Sequence, residues 1–215
     1  MIRSRVEELL LLDEGAWRRW AFRREPLRRR IPDRDLEALC GRAEDLGRRT
    51  ARDLRAEFPG SAPSGIAGAL GLRILERTGE GEYGGTLFAF YDEADSITLF
   101  RDKAEGADRL IAEEGLGGLL GDASVPEVLI AHELFHVLDR SRKDPDSPLL
   151  LPGRPGPFRT RRPVRALEEI AAMEFARELL GLPCTPWIFT VVLLYPSDPS
   201  GAEAVYRGMR GIDGA

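Results

Sequence analysis

Only two histidines occur in the 215 residues of this chain, and they stand four apart in Ala131-His132-Glu133-Leu134-Phe135-His136. Four residues make about one helical turn, so on a helix both imidazoles leave the same face, about 40° apart. The flanking residues predict that helix. Ser124 reads as its N-cap, Pro126 falls in the first turn, and Glu127 follows the serine by three, the pattern of a capping box. From Val128 to Leu138 every residue is apolar except the two histidines and Glu133. A helix of that composition is buried over most of its surface. It should end near Asp139 to Ser141.

Two imidazoles and a carboxylate are costly on a buried helix unless something compensates them. One metal ion compensates all three. Both histidines can reach it at the roughly 2.0–2.1 Å that zinc requires. Glu133, about 100° round the helix, flanks the ion and is better placed to take a proton from an activated water than to ligate. The plain alternative is a chance H-E-x-x-H on a core helix. The confinement of all the chain's histidine to this one turn argues against it.

Zinc sites that do chemistry keep three protein ligands and one open position. With no third histidine, the remaining ligand must be Asp, Glu or Cys. Arg165 to Leu180 predicts a helix, ended by Gly181-Leu182-Pro183. Its wheel sets Ala166, Glu169, Ala172, Met173, Ala176 and Leu180 on one apolar stripe. Glu168, Phe175 and Leu179 run along the edge, and Glu174, Arg177 and Glu178 face away. Glu169 is thus a lone acid in a buried stripe and the first candidate for third ligand. Pairing with a buried Arg is its alternative use, and Glu168, Asp139 and Cys184 are the other candidate ligands.

The rest of the chain supplies ordinary elements. Residues 3–25 read as helical, Pro32-Asp33 opens a long helix to Phe58, and Ser64 to Leu70 form a short helix stopped by Gly71. Strands are expected at 72–76, 86–91 and 96–101, the last two joined by a hairpin turn at Asp92-Glu93-Ala94-Asp95. A helix follows at 104–114. Residues 143–164 hold six prolines and read as a long irregular loop, either a lid over the site or a connector. No repeat, phosphate loop or dinucleotide fingerprint is present.

Net charge is −5 with a pI of about 5.3, so no global basic signature marks a nucleic-acid binder. A local basic run, Arg18, Arg19, Arg23, Arg24, Arg28, Arg29, Arg30 and Arg34, is interleaved with Trp17, Trp20 and Phe22. It could grip nucleic acid or an acidic partner. Pairing with the many nearby carboxylates is the favoured reading. Two unpatterned cysteines, Cys40 and Cys184, imply a reducing compartment. No apolar run approaches the roughly 20 residues of a membrane span, and Leu9 to Leu12 is too short for a signal segment. A cytoplasmic protein without a membrane partner is expected.

His132-Glu133-Leu134-Phe135-His136, followed by Glu169-Ile170-Ala171-Ala172-Met173-Glu174-Phe175-Ala176-Arg177-Glu178-Leu179-Leu180-Gly181-Leu182-Pro183, resembles the ImmA/IrrE metallopeptidases. These are gluzincin-like proteins whose second motif runs E-x-x-A-N-x-F-A-x-x-L-L-x-P. The resemblance spans roughly residues 62–185 and includes the order of short helix, strand and hairpin before the metal helix. It departs at Met173, where the family usually carries Asn. A polar side chain there can buttress the site, and Met cannot.

The resemblance implies an α+β, zincin-like fold, mostly helical with a small antiparallel sheet at 61–215, preceded here by a helical N-terminal extension at 1–60. It implies a zinc metalloendopeptidase in which His132, His136 and Glu169 hold Zn²⁺ and Glu133 is the catalytic base. The substrate would be a regulatory protein or peptide, often a DNA-binding repressor. An oxyanion stabiliser, Tyr or Arg, is also needed; Tyr195 and Tyr206 follow the second motif and are candidates. A sheet edge, at 86–91 or 96–100, would pair with an extended substrate. The rival readings are a non-catalytic zincin-like module that recognises a protein partner and, more remotely, an Arg-driven nucleic-acid binder.

Overall fold

The computed structural model of the chain describes residues 2–79, 88–92, 95–141, 147–151 and 162–212. Among them the chain is mostly helical with a small mixed sheet, an α+β arrangement. In order the elements are α1 (Ile2–Leu10), α2 (Glu14–Phe22), α3 (Asp33–Glu57), α4 (Pro63–Ala69), β1 (Arg73–Arg77), β2 (Ala89–Asp92), β3 (Ser96–Phe100) and α5 (Arg101–Glu113). There follow α6 (Gly117–Leu120), α7 (Val125–Ser141), β4 (Leu150–Leu151), β5 (Arg162–Pro163), α8 (Arg165–Leu180), α9 (Phe189–Leu194) and α10 (Pro199–Met209). Short 3₁₀ turns occupy Arg28–Arg30 and Pro186–Ile188.

Helix α8 is the axle of the molecule. α3 packs along one side of it and α7 along the other. Its buried residues therefore lie on two faces, Ala172 and Ala176 among them together with Leu167, Ala171, Phe175 and Leu179. The single apolar stripe expected from the wheel is too narrow. Glu174 and Glu178, expected to face away, instead face α3, where Arg48 and Arg52 hold them at 3.0 and 2.9 Å. α3 lies so close to α8 that a Cβ on Gly47 would sit 2.3 Å from the Ala171 carbonyl oxygen. Glycine is required there by the approach of the two backbones. Gly181, in the left-handed conformation at φ 65°, ends α8 as the sequence predicts.

Carboxylates from distant elements fix the starts of the two central helices. Glu25 is buried and accepts from the Ala166 amide at 3.0 Å, and its other oxygen accepts from the Leu27 amide at 2.8 Å. It satisfies an amide that α8 cannot satisfy internally and places negative charge at the positive end of that helix. Asp108 of α5 does the same for α7, accepting from the Val125 amide at 2.9 Å. Glu127 serves a neighbour: its oxygens accept from the Ser64 amide at 2.9 Å and the Ser64 hydroxyl at 2.6 Å, at the start of α4. The expected capping box is thereby replaced by caps exchanged between helices.

The three-stranded sheet has the order β1-β3-β2. β2 runs antiparallel to β3, pairing Ala89 with Leu99 and Tyr91 with Ile97, as a hairpin requires. β1 is parallel to β3 through Arg73↔Ser96 to Arg77↔Phe100, so the sheet is mixed and not antiparallel throughout. β3 is central and buried along its whole length, so residues 96–100 are no edge; β2 is. Residues 86–87 and 93–94 lie outside the described residues, as do 142–146 and 152–161 of the proline-rich loop. The described base of that loop is a short ladder pairing Leu150 with Pro163 and Leu151 with Arg162.

The first 60 residues are helical and packed into the rest of the chain. Leu39, Ala43 and Leu54 share one core with α7 and α8, while Ile2, Val6, Leu9 and Trp20 share a second with α5, α9 and α10. The single helix expected at 3–25 is two helices, because the Asp13 carboxylate accepts from the Ala16 amide at 2.7 Å and starts α2 afresh. Arg18 is bound by Glu44 at 2.9 Å and Glu14 at 3.1 Å, and Arg28 by Asp33. That part of the basic run is an ion network. Among the described residues no helix is long and apolar enough to cross a membrane.

Candidate metal centre

α7 brings His132 and His136 to face Glu169 on α8. The two Nε2 atoms lie 3.2 Å apart, and the Glu169 carboxylate lies 3.4 Å from His132 Nε2 and 3.6 Å from His136 Nε2. A tetrahedral ion with arms of about 2.0–2.1 Å separates its ligand atoms by about 3.3–3.4 Å. Each histidine faces a different oxygen of Glu169, the ligand atoms all lie within 4.8 Å of one another, and this His-His-Glu cluster can hold a metal ion. Facing ring nitrogens at 3.2 Å can share at most one hydrogen between them. A divalent cation in that place uses the lone pairs of both.

The electrostatics agree with the donor set. Burial pushes His132 down to about 4, so it is neutral at neutral pH, the form that can ligate. Burial also pushes the Glu169 carboxyl up, opposed by the neighbouring His136 and Arg165. The Glu169 side chain keeps 42% of its accessible area, which faces the cleft, and desolvation is still the largest influence on it. Negative charge on Glu169 is unfavourable without a cation. His132 Nδ1 is buried with no hydrogen-bond partner among the described residues. The hydrogen bond that usually orients a ligating imidazole is missing there.

Glu133 is buried and offset from the ligand triad, as the helix geometry requires. Its Oε2 accepts from the Tyr91 amide of edge strand β2 at 3.0 Å. That contact points the carboxylate along the wall of a cleft of about 540 Å³, which also contains His132, His136 and Glu169. Strand, metal helix and second-motif helix thus meet on one cavity.

Glu168 lines the same cleft but does not join the ligand group. Asp139 and Cys184 lie outside that group too. Cys184 is buried in the second core against the Leu120 carbonyl, and burial pushes its thiol up to about 11. Cys40 is likewise buried and raised to about 11. Neither Tyr195 nor Tyr206 lines the cleft. Tyr206 is locked in the second core, where its hydroxyl donates to Glu8 and accepts from Arg5 at 3.2 Å. The residues that sequence reasoning missed are Tyr91, Arg165 and Glu25. Arg165 alone carried a signal: it stands four before Glu169, on the same face of the same helix.

Comparison with protein-family models, curated proteins and solved structures finds no significant match to this chain. The likeness to ImmA/IrrE metallopeptidases rests on the motif residues and the order of elements before the H-E-x-x-H helix.

Proposed function

We propose that the chain is a zinc-dependent metallopeptidase with a zincin-like fold, acting on a regulatory protein or peptide such as a DNA-binding repressor. The observation that carries this reading is the convergence of the His132, His136 and Glu169 ligand atoms within 4.8 Å of one another beside a buried carboxylate that is not one of them. His132, His136 and Glu169 would hold the ion. When bound, zinc supplies Lewis acidity that polarises a carbonyl and acidifies water. Glu133 takes the proton from the attacking water and returns it to the leaving amine, a role its fixed position beside the triad suits. The Tyr91 amide holds Glu133 on the cleft side.

The test is hydrolysis of candidate repressor proteins and a peptide library by the zinc-loaded chain, with Glu133→Gln as control. Zinc-dependent cleavage by the native chain, lost in Glu133→Gln, supports the reading. No cleavage by either overturns it. The orphan His132 Nδ1 and Met173 in place of a polar buttress favour one rival, a metal-holding module that binds a protein without cutting it. That rival predicts stoichiometric zinc and no hydrolysis.

A further inference from the structure

Three cleft residues follow one another at intervals of four on α8: Arg165, Glu169 and Met173. They share a face and are spaced about 6 Å apart along the helix axis. The metal-facing carboxylate is the middle one. Toward the start of α8, Arg165 is exposed at the cleft, and the carboxylate that feels its charge is Glu169, one turn on. Glu168 lines this end as well. Toward the end of α8, Met173 lines the cavity together with Trp187 of the 3₁₀ turn and Phe189 and Leu193 of α9. Phe189 and Leu193 are 2% exposed, so this end is an apolar, well-packed wall. The cleft therefore differs along α8, with the Arg165 guanidinium and Glu168 on one side of the metal centre and apolar side chains on the other.

We propose that this cleft selects its peptide by two groups flanking the bond above the metal centre: a carboxylate received by Arg165, and a bulky apolar side chain received by Met173, Trp187, Phe189 and Leu193. The inference rests on the peptidase reading and names its substrate class. An acidic side chain and a free C-terminus offer Arg165 the same chemistry, a planar carboxylate that a guanidinium can take in bidentate fashion.

The test is fluorescence anisotropy of labelled peptides on the zinc-loaded Glu133→Gln chain, where nothing is cut. Matched peptides carry Phe or Ser beside the target bond, Glu or Gln on its other side, and a free or amidated C-terminus. Expected is about fivefold tighter binding for the peptide bearing the carboxylate, shrinking as salt is raised. Replacing Phe by Ser should weaken binding about tenfold. The arm that carries the acid effect, side chain or terminus, identifies the source. Adding Arg165→Gln, an exposed change that leaves the cores intact, should bring the acid-to-neutral ratio near one. A ratio unaltered by Arg165→Gln, no preference for Phe, or no binding of any peptide overturns the proposal. Cleavage of the library by the native chain without these preferences would sink the selection and leave the peptidase standing. The preferences without cleavage would do the reverse.

Discussion

His132 shows what burial does to one member of the proposed ligand set. An imidazole driven down to about 4 by burial is a lone-pair donor at every physiological pH. In the metal-free chain this has a price in acid. The unfolded imidazole takes its proton near pH 6.5, while the folded one refuses it until about pH 4, so stability falls as pH drops through that window. From pH 7 to 5 the loss from this group is about 2 kcal/mol. The raised Glu169 carboxyl acts in the opposite sense, since the folded state then takes up its proton earlier. Urea midpoints at the two pH values, with chelator present, should show a smaller acid loss for His132→Gln than for the native chain. An identical loss would mean that His132 is not held neutral. A second residue-scale expectation separates the adjacent acids: Glu169→Ala should weaken zinc binding and abolish hydrolysis, while Glu168→Ala should change zinc affinity little. Full zinc occupancy in folded Glu169→Ala would contradict the ligand assignment. These positions are legible in the sequence because helical periodicity converts spacing directly into direction. The tyrosines are not, because their place depends on how α9 and α10 fold back on a separate core.

At the scale of elements, α8 explains how Glu169 is held facing the two histidines. Its start is pinned by Glu25, and its flank is pressed against α3 at Gly47. Gly47→Ala should cost about 1–3 kcal/mol, because the new methyl meets backbone that cannot turn aside. Gly41 on the same helix has nothing within 4 Å of a built Cβ. Gly41→Ala should therefore stabilise by about 0.5–1 kcal/mol. Thermal or urea unfolding of the pair reads the difference directly, and equal effects would show that α3 and α8 do not touch there. Most helices are visible from periodicity, Pro and Gly punctuation, and the Asp33 and Gly181 boundaries. The parallel pairing of β1 with β3 and the Glu25 cap are not, because both join residues far apart in sequence, and no local pattern encodes a partner at that distance. The break at Asp13 is local and escapes notice only because its apolar periodicity continues on both sides.

At the scale of the whole molecule, the N-terminal 60 residues close both cores around a site they do not themselves contain. α3 and Glu25 brace the second-motif helix, while α1 and Trp20 seal the core behind α9. Zinc that binds only the folded chain should then raise its stability by mass action, by about 2.7 kcal/mol at a free concentration one hundred times the dissociation constant. Denaturant unfolding with and without zinc checks this, and no shift in either the native chain or Glu133→Gln would argue against a folded-state site. The most direct measurement is metal content after zinc loading and desalting, made side by side on native chain, Glu133→Gln, His132→Ala and Glu169→Ala, each confirmed folded by circular dichroism. The predicted result is one zinc per chain in the native protein and in Glu133→Gln, and little or none in the other two. Zinc lost from Glu133→Gln, or retained in full by His132→Ala and Glu169→Ala, would contradict the assignment of ligands and base.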